Sequence, residues 1–134
     1  MSNIKSKDII KACLPRGQRD INSSELRLLR SIIDKISKVA DHIEREFNSS
    51  KKVAVVVSAM SGETDRLINL VDAIGKIDNS ERDAVISSGE QVSSALLALT
   101  LKARGIQARS VQGWQIPLKT DEVHGSARIL DVQS

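Results

Sequence analysis

An α/β fold is predicted by three features of this 134-residue chain. A long amphipathic helix leads through a polar turn into an unbroken β-branched run at residues 53–58. Two stretches then share one pattern, residues 53–66 and residues 86–94, in which a hydrophobic segment gives way to small hydroxylated residues, a glycine and a helix. Such junctions build small-ligand pockets in α/β proteins, because side chains at the end of a buried strand meet helix N–H groups that lack intrahelical partners.

The first element is a helix over residues 25–47. Leu26, Leu29, Ile33, Ile36, Ala40, Ile43 and Phe47 recur at three- and four-residue steps along one side, and Asn22 with Glu25 has capping-box spacing. Arg30 with Asp34, Asp34 with Lys38, and Asp41 with Arg45 mark the exposed side. Residues 48–52 form the turn out. The run at residues 53–58 then reads as a strand covered on both faces in a parallel sheet. A second helix is expected over residues 64–76, with Leu67, Ile68, Val71 and Ile74 inward and Gly75 near its end. Residues 78–80 read as a turn, and residues 83–86 fit a brief strand or a first helical turn equally well. A helix beginning near Glu90 is apolar over more than one face, through Val92, Ala95, Leu96, Leu97, Leu99 and Leu101, with Gly105 as its carboxyl-terminal cap. Residues 106–111 read as another strand and residues 112–121 as a loop, in which Trp114 is expected to serve packing.

Composition excludes several functions. Phe47 and Trp114 are the only aromatic residues, so stacking platforms for bases are missing. The net charge of +3 comes from residues 1–20, with five basic and two acidic side chains, whereas the rest carries fifteen of each. A balanced body argues against a nucleic-acid face, and Asp8 and Asp20 interrupt the basic leader. No apolar run is expected to span a bilayer, and the expected location is the cytoplasm. The lone Cys13 suits a reducing compartment and precludes an intramolecular disulfide. His124 has only Asp121 near metal-ligand spacing, so no metal site is assigned. Two domain-level segments result: a basic, poorly structured leader at residues 1–21 and one domain at residues 22–134.

Glu90, Ser58 and Thr64 are the candidate site residues. A zwitterionic ligand needs one fixed carboxylate for its cation and neutral donors for its oxygens. These three side chains meet that need. Local readings compete with this one. Ser87 with Glu90, and Ser88 with Gln91, have capping-box spacing; Thr64 suits a helix N-cap, and Ser58 a strand-end hydroxyl bonding its own turn.

From Lys51 to about Val132 the chain resembles aspartokinases. The resemblance is carried by Val-Ser-Ala-Met ending at Met60, Gly-Glu-Thr-Asp from Gly62, Ser88-Gly-Glu90, Gly113-Trp-Gln115, Thr120-Asp121 and His124-Gly-Ser-Ala-Arg-Ile129, in that order. It implies the amino-acid-kinase fold, a three-layer αβα sandwich with a mostly parallel sheet. It also implies transfer of the γ-phosphoryl of MgATP to the side-chain carboxylate of L-aspartate, a first step towards lysine, threonine and methionine. By the same resemblance Ser58 lies by the reacting phosphate, Thr64 holds aspartate and Glu90 pairs with its ammonium. The family's opening Lys-Phe-Gly-Gly-Thr-Ser motif has no counterpart in residues 1–22, and the sequence ends at Ser134, ahead of the family's Gly-Arg-Gly-Gly-Ser-Asp segment. The expectation is a partial, truncated sandwich that supplies the acceptor side, assigns no catalytic residue of its own and is inactive alone. The alternative is a non-catalytic remnant or subunit that pairs with a full-length kinase, and self-association or pairing with a longer kinase chain is expected.

Overall fold

A computed structural model describes residues 22–49, 52–75 and 78–132. The predicted leader at residues 1–21 lies outside the described residues, as does Cys13. The chain divides into two compact units, Met1–Val53 and Ala54–Ser134.

The described part of the first unit is helix α1, Ser23–Ser49. Its start is the reciprocal capping box predicted from sequence. The Asn22 side chain accepts from the amides of Ser24 and Glu25 at 3.0 and 2.9 Å, and Glu25 accepts from the Asn22 amide at 3.1 Å. Ala40 and Ile43 are its buried positions, both on the predicted apolar side. Arg45 donates to the Asp41 carbonyl at 3.3 Å and lies 2.6 Å from His42 Nδ1.

The second unit is built on two helices in contact, α2, Glu63–Ile74, and α3, Asn79–Ala103. Leu67 and Val71 face inward from α2 as predicted, but Ile74, its last residue, is 85% exposed beside the capping Gly75. Gly89, Ser93, Leu97 and Leu101 form the buried line of α3, at steps of four.

Helix α3 corrects the predicted start near Glu90. Residues 79–103 are one helix, capped by Asp78, so residues 83–86 are neither strand nor first turn, and residues 78–80 are a cap rather than a free turn. Joined in this way, the helix is long and apolar enough by length and composition to cross a membrane, with mean hydropathy 1.2 over its apolar window. The criterion is met only marginally, and in the structure the helix packs on α2 with 22% of that window buried. The carboxyl-terminal end agrees with prediction. Gly105 has φ +82°, and the amides of Ile106 and Gly105 donate to the carbonyls of Leu101 and Lys102 at 3.0 and 2.9 Å. This is a Schellman closure, whose left-handed residue favours glycine.

The predicted parallel strands are not formed among the described residues. Residues 53–58 and 106–111 have no ladder partner there, and Val56 is fully exposed where burial on both faces was expected. β-Branched residues favour an extended backbone, but a strand exists only where a neighbour completes the hydrogen bonds. The sheet that does form is antiparallel, between β1, Leu118–Thr120, and β2, Ile129–Val132. Leu118 pairs with Val132, Lys119 with Asp131 and Thr120 with Ile129, with a register shift after Lys119. Both strands fall where no strand was predicted.

Candidate functional site

The two motif stretches meet in the second unit. Residues 54–60, in neither helix nor ladder, lead into a turn at residues 61–62, and Gly62, in the left-handed conformation, is the N-cap of α2. Thr64 is therefore the second residue of α2 rather than its cap, and no side chain caps that end. The Glu63 amide donates to the Met60 carbonyl at 2.9 Å and the Arg66 amide to Gly62 at 3.0 Å, which closes the turn. Thr64 is half-buried, and Ser58 lies in the segment that leads to the turn.

Glu90 sits in the middle of α3, far from any helix start. The local capping reading is thereby overturned. The Ser87 and Ser88 hydroxyls donate back to the carbonyls of Ala84 and Val85 at 3.1 and 2.6 Å, within the helix. The half-buried Glu90 carboxylate instead accepts from the Ala59 amide at 3.2 Å, across thirty-one residues of sequence. Gly89 makes that approach possible. A methyl group at Gly89 would lie 2.9 Å from the Ala59 Cβ, 3.5 Å from Leu67 Cδ1 and 3.6 Å from Glu63 Cγ. Ala59, Glu63 and Gly89 thus form a packed trio, and each is next in sequence to one of Ser58, Thr64 and Glu90.

The electrostatics around the trio are those of an ordered surface. Arg66 donates to both carboxylate oxygens of Glu63, at 2.7 and 2.9 Å. This pairing holds the Glu63 carboxyl below its ordinary range and the Arg66 guanidinium above its own. Glu63 is therefore engaged along its own helix, which leaves Glu90 as the carboxylate facing the Ser58–Ala59 peptide. Among the described residues no group of three or more His, Cys, Asp or Glu side chains could hold a metal ion.

Several contacts were not predicted. Asp83, on α3, accepts from the Gly125 amide at 2.7 Å and lies 3.4 Å from His124 Nδ1, so the loop between β1 and β2 is latched to α3. Asp121 closes that loop by accepting from the amides of Val123 and Arg128 at 3.2 and 3.1 Å. Gln112 donates to Ser94 on α3 at 3.2 Å. The Gly-Trp-Gln segment is a single 3₁₀ turn, and Trp114 is 71% exposed, which corrects its expected packing role. A concavity of about 320 Å³ lies at the other end of α3, between Ala95, Leu99 and Lys102 and residues 108–110. It involves none of the three candidate side chains.

Comparison with known proteins agrees with the resemblance carried by these motifs. The chain is 43% identical over 103 residues to an aspartokinase of Geobacillus stearothermophilus, covering 76% of this chain and 25% of the relative. It is 43% identical over 103 residues to an aspartate kinase of Pseudomonas fluorescens, with 75% and 25% covered, and 38% identical over 103 residues to aspartokinase 2 of Bacillus subtilis, with 76% and 25% covered. It spans about a quarter of the length of these relatives. The profile of the amino acid kinase family matches residues 21–133. The chain belongs to the amino acid kinase family.

Proposed function

We propose that this chain carries the acceptor side of an aspartokinase, the part that binds L-aspartate for phosphorylation of its side-chain carboxylate. Glu90 takes the α-ammonium, the Thr64 hydroxyl holds a carboxylate of the amino acid, and Ser58 faces the phosphate being transferred. The observation that supports the reading best is the 3.2 Å bond from the Ala59 amide to Glu90. It joins the two motif stretches at one point, and the other Glu90 oxygen has no hydrogen-bond partner among the described residues. A half-buried carboxylate with one oxygen anchored and one open suits an ammonium ion.

MgATP is the co-substrate that the family implies. The described residues do not fit the metal, since they offer no cluster of carboxylates or histidines, and no lysine stands in a glycine-rich turn. Phosphoryl transfer depends on positioning and on neutralising charge at the moving group. The nucleotide side is therefore assigned to another polypeptide segment, and this chain by itself to acceptor binding. A three-layer αβα sandwich with a parallel sheet, completed by that segment, and a cytoplasmic setting belong to the same proposal.

Titration of the purified chain with L-aspartate by calorimetry tests it. Saturable binding is expected, weakened at least about tenfold, or about 1.4 kcal/mol, in Glu90→Ala. No saturable binding by the wild-type chain overturns the reading. In a coupled assay with aspartate and MgATP the chain alone is expected to show no turnover.

A further inference from the structure

We propose that Gly89 and the Ala59 amide are positioning elements of this site: the close approach of α3 to residue 59 holds the Glu90 carboxylate at a fixed place against the Ser58–Ala59 peptide. The proposal rests on the reading of Glu90 as the ammonium acceptor. Its geometry is independent of that reading.

A glutamate in mid-helix has three rotatable side-chain bonds and no intrinsic reason to point at one place. Here one carboxylate oxygen is pinned by the Ala59 amide at 3.2 Å, and that amide belongs to the peptide that also carries the Ser58 carbonyl. Any displacement of Ala59 therefore moves Ser58 and Glu90 relative to each other. The contact is set by the absence of a side chain at Gly89, where a Cβ would meet the Ala59 Cβ at 2.9 Å. Leu67 Cδ1 and Glu63 Cγ, at 3.5 and 3.6 Å, would be in ordinary contact. The Ala59 methyl is fixed to the main chain, so restoring normal carbon–carbon separation requires a backbone shift of about 0.5 Å or more. A shift of that size along the contact carries the 3.2 Å hydrogen bond out of range. Helix propensity alone favours alanine over glycine in a helix interior, so a glycine here marks a packing requirement.

Four variants of the full chain test the proposal, with Ala59 amide exchange read by NMR without ligand and L-aspartate affinity read by calorimetry. Gly89→Ala is expected to speed Ala59 exchange and weaken aspartate binding, each at least about tenfold, with helix content by circular dichroism unchanged. Glu90→Gln keeps an acceptor for the Ala59 amide, so exchange is expected to stay slow while aspartate affinity falls. Glu90→Ala should lose both. Ala59→Gly combined with Gly89→Ala moves the methyl group across the contact, and is expected to restore slow exchange and affinity even if Gly89→Ala alone folds poorly. Wild-type exchange at Ala59 in both Gly89→Ala and Glu90→Ala overturns the positioning proposal, as does a double variant that recovers neither property. Absence of aspartate binding in the wild type overturns instead the ligand assignment, because the exchange measurements need no ligand.

Discussion

One oxygen of Asp78 accepts from the Ser80 hydroxyl and the Ser80 amide, each at 2.8 Å, and from the Glu81 amide at 3.3 Å. These donors, the Ser80 hydroxyl foremost, hold the Asp78 carboxyl below its ordinary value. A carboxyl with a lowered folded pKa stabilises the fold at pH above its unfolded value, near 4, and that contribution disappears as pH falls through the folded value. Asp78→Asn keeps a capping oxygen but cannot titrate. Its melting temperature is expected to match the wild type at pH 7 and to fall less steeply below pH 4, and parallel acid limbs would refute the assignment. Asp78→Ala removes the acceptor at every pH, and should lower the melting temperature by about 3–6 °C. The aspartate-to-glutamate spacing of Asp78 and Glu81 was a legible start signal that residues 87–91 masked by offering the same spacing in mid-helix. Glu90 shows the limit of local reading: its partner is thirty-one residues away, and no spacing within its own helix points to Ala59.

At the scale of elements, periodicity located the interiors of all three helices, because burial on one side imposes a repeat that the residues must carry. It did not locate the start of α3, since the buried line Gly89, Ser93, Leu97 and Leu101 contains a glycine and a serine, which break the hydrophobic pattern. The contact between α2 and α3 makes those small residues necessary. Leu67 is 6% exposed and packs against Gly89, so it should carry much of this contact. Leu67→Ala is expected to lower unfolding stability by about 2–4 kcal/mol in a denaturant titration. Leu28→Ala, at a position 62% exposed on α1, should change it by about 0.5 kcal/mol or less. Equal effects would mean that α2 and α3 do not form the packed centre of the second unit. Strands were harder to read for a different reason. The run at residues 53–58 announces an extended backbone, but pairing belongs to the neighbour, whereas β1 and β2 are short and exposed and are joined through a loop that Asp121 closes.

For the whole molecule, burial sets the expectation. Among the described residues the buried hydrophobic side chains are Ala40, Ile43, Leu67, Val71, Leu97 and Leu101. Val56 is fully exposed, and Leu99, Ile129 and Leu130 are each exposed by more than 60%. Among the described residues, residues 54–58 and 107–111 make no backbone–backbone hydrogen bond, and Val55, Val56 and Val111 are exposed along them. A strand-forming run without a neighbouring strand is a template for pairing with another chain, and exposed valines reward the pairing by burial. A chain whose strand-forming runs find no ladder partner among the described residues is therefore expected to associate. Light scattering on the purified chain should give a mass above 14.6 kDa that rises with concentration. Val56→Lys places a charge on the open run without touching α2 or α3, and should move the distribution towards the monomer with helix content unchanged. A monodisperse wild-type monomer at every concentration would mean that water satisfies these segments well enough, and that completion by a second polypeptide is not required for a stable fold.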